Sequence, residues 1–435
     1  MTGPDSDTSE TGGDETTDGE AAGDEATDGE TAGDSATSDH VDTTDLIGAS
    51  PAHVRSALAS GEALPGGCGF GGLLTDPPGR DGPVLVRDVL GRQPVFVDRA
   101  ARNPTASGAW STDRTTLADP MSVPAGSIVD PATGGEPEPV WTLPDPAPSA
   151  AATAQAAVTD AIESALERLD RPRSDGPAAD GAAADGDLAV AFSGGVDSGL
   201  VASAVPDAPC YVAGFEGCHD VAAAREAAAA MGRTTDLTVV EITHDDLLRA
   251  VHAVADATGR RNPMDLAIAV PLYLTAEAAA SDGVTRLAVG QGADELFGGY
   301  SKVVDPATDH RVDATTVRGA RLETMRSLPA QLERDVLTIR SAGVEPVTPL
   351  LADAVVRSAL ALPAALLATP SERKVALRRA AAGRVPEAVR TADKKAVQYG
   401  TYVARELDRL ARQAGFKRRM DDHVGQYLDE LLTPA

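Results

Sequence analysis

The sequence predicts an α/β protein built on a doubly wound parallel sheet, and three observations carry that expectation. Between Leu188 and Val289, short apolar segments alternate four times with helical segments. The short segments are apolar along most of their length, as strands buried on both faces are. Two of them run directly into glycine-rich loops, SGGVDS at 193–198 and GQGADELFGGY at 290–300. Ligands in open sheets of this kind bind at the carboxyl ends of the strands.

The elements follow in order along 435 residues, a length suited to two or three domains. The first 45 residues hold 15 Asp or Glu and no Lys or Arg, in a crude repeat. With so little apolar surface to offset its ordering entropy, 1–44 is expected to be a disordered tail. In the next segment, Val84–Val86 and Val95–Val97 read as short strands flanking a turn at Leu90-Gly91-Arg92. Residues 102–149, rich in Pro, Gly, Ser and Thr, read as loops, an edge strand and a linker. Residues 45–145 are therefore expected to form a small β-rich domain. A helix is predicted from about Ala150 to Asp170, with Ala157, Ile162, Ala165 and Leu166 at helical spacing, then a flexible connection over 171–187. Strands follow at Leu188–Phe192, Tyr211–Phe215, Leu237–Ile242 and Thr285–Val289. Helices begin at Ser198 and span His219–Met231, Asp245–Ala257 and Asp265–Ala280. From Val312 to Leu432 the pattern is mostly helical, broken at GVEPVTP and near RTADKKAVQYGTY, so 150–435 reads as one domain.

The net charge is −28, with five Lys against 33 Arg. Such self-repulsion is tolerated where salt screens it, which points to a salt-loving organism and away from a nucleic-acid partner. No apolar run reaches the length of a membrane span, and the start has no signal-peptide pattern, so a cytoplasmic protein without a membrane partner is expected. Cys68, Cys210 and Cys218 form neither a disulfide framework nor a CxxC site.

Glycines in SGGVDS let backbone amides approach a ligand closely, and the following helix aims its positive end at the same place. The hydroxyls of Ser193 and Ser198 can donate to phosphate oxygens. Asp197 would repel phosphate unless Mg2+ lay between them. The other reading of these residues is a Gly-Gly turn with an aspartate near a helix cap. The loop at 290–300 adds Asp294 and Glu295 at the same sheet edge, as a shared Mg2+ site requires; the alternative is helix capping by Asp294 or a Glu295 salt bridge.

SGGVDS resembles the SGGxDS loop of the ATP pyrophosphatases, also described as adenine nucleotide alpha hydrolase-like, which split ATP between its α and β phosphates. GQGADELFGGY resembles the asparagine synthetase signature GEGADELFGGY at every position but one. VAGFEGCHDVAAAREAAAAMG, with Asp220, is similar to that family's adenine-binding strand, loop and helix. RDVLTIRSAGVEPVTPLL, with Asp335, Gly343, Glu345 and Pro349 to Leu351, and ADKKAVQYG also resemble family segments. The resemblance covers about Ala150 to Tyr402. It implies adenylation of aspartate by ATP with Mg2+, release of pyrophosphate, then amination by ammonia. It further implies that Ser193, Gly194, Gly195 and Ser198 hold pyrophosphate, that Ala213 and Gly214 contact adenine through backbone, and that Gly290 lines the nucleotide site. By the same resemblance, Asp197 and Asp294 would hold the metal, and Lys394 or Lys395 would stabilise the leaving pyrophosphate. An exposed basic loop is the alternative for the lysine pair.

Two departures matter. Gln291 stands where the family has Glu, and an amide cannot act as a base. Glutamine-dependent members begin with Cys directly after the initiator Met, whereas this chain begins Met1-Thr2-Gly3, and Cys68 is internal. VLVRDVLGRQPVFV nevertheless resembles the strand pair of the glutaminase domain, so 45–145 is expected to be a degenerate, N-terminal-nucleophile-type glutaminase fold serving as lid or scaffold. Free ammonia or a separate glutaminase would then supply nitrogen. Two other readings stay open: an adenylating ligase acting on another carboxylic acid, as in β-lactam synthetases, and a non-catalytic nucleotide-binding paralogue.

Overall fold

The structure, a computed structural model, describes residues 45–169, 187–392 and 397–433. The acidic tail and nearly all of the 171–187 connection lie outside them. The described residues belong to one compact unit.

Its first part contains α1 (Pro51–Ser60) and eight short strands: β1 (Leu46–Ile47), β2 (Gly71–Leu74), β3 (Val84–Arg87), β4 (Phe96–Asp98), β5 (Trp110–Ser111), β6 (Pro120–Ser122), β7 (Ser127–Val129) and β8 (Pro137–Pro139). They make two antiparallel sheets, ordered β1-β2-β3-β7-β8 and β5-β4-β6. The segments expected to flank one turn, β3 and β4, lie in different sheets. Asp88 is the cause. Its carboxylate accepts from the Leu90 and Arg92 amides and from Arg92 Nε, so the chain coils around a buried charge instead of closing a hairpin. Residues 102–149 hold four strands where mostly loop was expected. The two sheets meet through Leu73, Leu85, Val95, Val97, Val123 and Val129. The opposite face, with Leu74, Val84, Val86 and Ile128, joins the apolar core around α2 (Ala151–Glu167).

The second part is a parallel sheet of β9 (Leu188–Ala191), β10 (Cys210–Gly214), β11 (Leu237–Glu241), β12 (Arg286–Ala288) and β13 (Glu345–Val347), ordered β11-β10-β9-β12-β13. Four strands fall within a residue or two of expectation. The fifth occupies the break predicted at GVEPVTP. Alternate residues serve opposite faces. Ala189, Tyr211 and Leu287 pack with Ala276, Ala279 and Ile339, while Val190, Val212 and Ala288 join the core that contains Val158, Ile162 and Leu200.

Helices α3 (Val196–Ala204), α4 (His219–Ala230) and α5 (His244–Thr258) come after β9, β10 and β11, and α6 (Pro263–Ser281) comes directly after α5. Local signals set their ends. A capping box of Thr243 and Asp246 opens α5 and left-handed Gly259 closes it, while Asn262 caps α6, with Pro263 in its first turn. Beyond β12 come α7 (Ala293–Phe297), α8 (Val317–Met325), α9 (Leu328–Ser341), α10 (Asp353–Leu360), α11 (Ala364–Leu367) and α12 (Val375–Ala380). Then follow α13 (Glu387–Arg390), α14 (Val397–Gly400), α15 (Val403–Gln413) and α16 (His423–Leu431). Strand order reverses at β9, which has β10 on one side and β12 on the other. Leu188 pairs with Arg286 and Val190 with Ala288, so the loops leaving β9 and β12 start level, flanking one crevice.

Candidate functional site

The first loop leaves β9 through buried Phe192 and turns at Gly194, whose φ of 76° is left-handed. A Cβ there would lie 2.5 Å from the Ala223 carbonyl oxygen, so glycine is required twice over. The two hydroxyls tie the loop together. Ser198 Oγ accepts from the Ser193 amide and lies 3.2 Å from Ser193 Oγ, and it reaches the Gly195 carbonyl at 3.3 Å. Gly195 occupies the N-cap of α3 with no side-chain cap, so the amide-rich, electropositive end of this helix is open to an anion.

The second loop touches the first. A Cβ on Gly290 would sit 2.9 Å from Asp197 Cβ and 3.1 Å from the Ser198 nitrogen. Gly292, at φ 84°, caps α7 against Leu351. Asp294 lies in the first turn of α7. Beside it Glu295 is buried and accepts from the Tyr300 hydroxyl at 2.5 Å. Burial, aided by the Asp294 charge, pushes Glu295 up to about 7.

Asp197 and Asp294 are brought together by a residue that the sequence reading missed. Lys374 Nζ lies 2.6 Å from Asp197 Oδ2 and 2.8 Å from Asp294 Oδ1. Burial works against its charge, but the two carboxylates outweigh burial and raise its pKa. Lys374 precedes α12 with φ 56°, an unusual conformation for a residue with a side chain. Next to it, Arg373 Nη1 donates to the Gly299 carbonyl. A signal existed: Lys374 is one of only five lysines in the chain. Nothing local tied it to either loop.

Gln291 makes its side-chain contact elsewhere, with Asp335. Its Nε2 donates to Asp335 Oδ2 at 2.6 Å, which fixes which end of the amide is which. Arg334 Nε donates to the other Asp335 oxygen at 2.7 Å, and its Nη1 donates to Asp265 at 2.7 Å. Arg260 lies 3.6 Å from both Asp265 and Glu333, and Glu333 accepts from Arg87 and Ser122 of the β-rich part. A second connection runs through Arg92, which binds Asp88, Asp353 and the carbonyl of Leu351, the residue packed on Gly292. Both connections end on the second loop.

A Gln291→Glu exchange would set two carboxylates at hydrogen-bond distance, so that one must hold a proton. The folded-state pKa of the pair then exceeds the unfolded value of about 4.3, and its contribution to stability is lost as pH rises through the folded value. The variant is expected to be less stable than wild type by about 1–3 kcal/mol at pH 8, with the gap closing near pH 4. Urea unfolding at the two pH values checks this; an unchanged gap would show that the pair does not couple.

The remaining expected residues fall as follows. Ala213 and Gly214 end β10 and are buried; a Cβ on Gly214 would lie 2.4 Å from Cys218 Sγ. The Phe215 amide donates to the Thr401 carbonyl, which brings the turn after α14 to this strand end. Asp220 is buried in the first turn of α4, and a Cβ on Gly400 would sit 2.1 Å from its Oδ1. Glu345 in β13 accepts from Arg340. Cys210 and Cys218 are buried thiols and Cys68 is exposed. Lys394 and Lys395 lie outside the described residues.

The donor set suits Mg2+ on a polyphosphate. That ion takes one or two carboxylates and completes its octahedron with phosphate and water. Two carboxylates from facing loops, an open helix N-terminus and a lysine are of the matching kinds. Among the described residues no group of three or more His, Cys, Asp or Glu is arranged to hold a metal ion by itself. Also among them, no helix is long and apolar enough to cross a membrane.

A sequence profile described as asparagine synthase matches residues 179–337 and 308–431, together more than half of the chain. A Methanocaldococcus jannaschii protein, provisionally named as a glutamine-hydrolyzing asparagine synthetase, is 27% identical over 279 residues, covering 56% of this chain and 50% of that protein. A glutamine-hydrolyzing asparagine synthetase of Bacillus subtilis is 35% identical over 122 residues, 26% of this chain and 18% of that one. One from Arabidopsis thaliana is 28% identical over 208 residues, 43% of this chain and 33% of that one. The chain thus spans no more than half of the length of these relatives.

Proposed function

Because the chain belongs to the asparagine synthase family, we propose that it is an ATP-dependent amide-forming ligase that adenylates a carboxylate, with aspartate as substrate, and passes the acyl group to ammonia. The supporting observation is the meeting of two loops from neighbouring strands, with Asp197 and Asp294 joined on Lys374.

In this reading a substrate carboxylate oxygen attacks the α-phosphorus of ATP, the bond to the β-phosphate bridge breaks, and pyrophosphate leaves. Ser193, Gly194, Gly195 and Ser198 hold the pyrophosphate end with backbone amides and hydroxyls. Ala213, Gly214 and Gly290 line the nucleotide through backbone. Asp197 and Asp294 would hold Mg2+, which supplies neutralisation of phosphate charge. Lys374, with Lys394 or Lys395, balances the charge that grows on the leaving group. Ammonia then attacks the acyl carbon, AMP departs, and the new amide sheds a proton. Gln291 has no group to take that proton, which leaves to solvent; its amide is instead engaged with Asp335. The nitrogen comes from free ammonia or from a separate glutaminase.

The same amide supports a second reading, in which the acid is not aspartate. Gln291 removes a charge from the second loop where the family has Glu, and a different acyl chain would suit a neutral residue there. One assay decides. The full chain is incubated at high salt with ATP, Mg2+, ammonium and a panel of carboxylic acids, with and without glutamine. AMP and pyrophosphate are expected in equal amounts with aspartate. Turnover with another acid alone favours the second reading. Release of ADP, or no turnover with any acid, rejects both.

A further inference from the structure

We propose that Arg378 is a positioning residue whose guanidinium ties the turn carrying Lys374 to the stretch of chain that leads into Lys394 and Lys395. What those lysines do is taken from the ligase reading; the tie itself is independent of it.

Arg378 lies in α12 and is 8% exposed. Each of its three side-chain nitrogens donates to a main-chain carbonyl: Nε to Arg373 at 2.9 Å, Nη1 to Arg390 at 2.8 Å and Nη2 to Ala392 at 3.3 Å. Its backbone amide adds a bond to the Lys374 carbonyl at 2.9 Å. Among the described residues its side-chain partners are carbonyls and none is a carboxylate. The guanidinium therefore fixes backbone on both sides of α12–α13, and it neutralises no acid.

The acceptors explain the need. α13 is only four residues long, and the last carbonyls of a helix have no intrahelical partner. Arg378 satisfies two carbonyls at that end, as basic side chains near helix C-termini do. α13 is itself seated on the helix of the first loop. A Cβ on Gly199 of α3 would lie 3.1 Å from Val389 Cγ1, so α13 packs against the residue that follows Ser198. Lys374, on the other side of Arg378, reaches α3 again through Asp197. The contacts form a closed ring of α3, α13, Arg378, Lys374 and Asp197. Arg378 is the link that joins its two arms, and Lys394 is the second residue beyond the tied Ala392. A lysine cannot replace it: an ammonium donates from one point, whereas these carbonyls are spanned by a planar fork.

Limited digestion of the folded full chain with trypsin tests this without turnover. The bond after Arg390 belongs to the carbonyl that Nη1 holds, whereas residues 417–419 are exposed. Wild type is expected to be cut after Arg390 at least about tenfold more slowly than at 417–419. Arg378→Met and Arg378→Lys are both expected to be cut after Arg390 about tenfold faster than wild type, with cutting at 417–419 unchanged. The proposal is overturned if wild type is cut after Arg390 as readily as at 417–419, a comparison that does not need the variants to fold. It is also overturned if Arg378→Lys keeps the protection, which would make charge alone the requirement, or if cutting at 417–419 accelerates equally. In the ligase assay, Arg378→Lys is expected to lower kcat about a hundredfold, the scale of a small misplacement of a reacting group, with the KM for ATP within about threefold of wild type. An unchanged kcat would overturn the positioning role. Inactivity of wild type toward every carboxylic acid would reject the ligase reading and leave the digestion to decide the tie.

Discussion

Asp294→Asn is expected to lower carboxylate-dependent release of AMP and pyrophosphate by roughly a thousandfold, the scale of losing one focused electrostatic contact in a reacting site. The exchange keeps the side-chain shape and removes one charge. Asp294 is the more open of the two carboxylates, its side chain 44% exposed against 21% for Asp197, and Lys374 keeps its contact with Asp197. The fold is therefore expected to survive, with urea stability within about 1 kcal/mol of wild type. Asp197→Asn should give the same loss, because the proposed metal position needs both loops. Equal product release from wild type and either variant, at saturating Mg2+ and ATP, would remove these carboxylates from the chemistry.

The largest effect on stability is expected from Arg92→Met. Arg92, Asp88 and Asp353 are 3%, 0% and 1% exposed, and among the described residues the arginine is the only cation that touches either acid. Burial opposes its charge, and the two carboxylates outweigh burial and hold it ionised. Methionine preserves much of the volume and leaves two acids without a counter-charge, a loss of about 3–5 kcal/mol. Arg92→Lys should restore only part of it, since a lysine cannot form the forked contacts to Asp88, Asp353 and the Leu351 carbonyl together. Urea unfolding measures both variants. A loss below about 1 kcal/mol for Arg92→Met would mean that the β-rich part does not brace the second loop through this residue.

Much of the synthetase-like part was legible because its signals are local. Leu188–Ala191, Cys210–Gly214 and Leu237–Glu241 are short apolar runs each followed closely by a helix, the last of them opened by a capping box. Gly194, Gly290 and Gly292 mark the two loops for reasons the structure makes explicit: close approach at all three, and left-handed backbone at Gly194 and Gly292. The β-rich part was less legible. Its strands are two to four residues long, and β6 and β8 contain prolines, so neither alternation nor length gave a signal. The parting of β3 from β4 depends on where Asp88 and Arg92 are buried, which no periodicity encodes. Lys374 is a tertiary fact of the same kind. A single lysine before a six-residue helix acquires its meaning from two aspartates far away in the chain.

The placement of β9 between β10 and β12 also orders events during synthesis. β9, β10 and β11 leave the ribosome early and in succession. β12 follows only after α5 and α6, and Lys374 later still. A nascent chain halted before β12 holds both partners of the β9–β10 and β10–β11 pairings but lacks the partner for the other flank of β9, which is then an open edge that any passing strand could claim. The meeting of Asp197 and Asp294 on Lys374 therefore cannot form until most of the chain has been made.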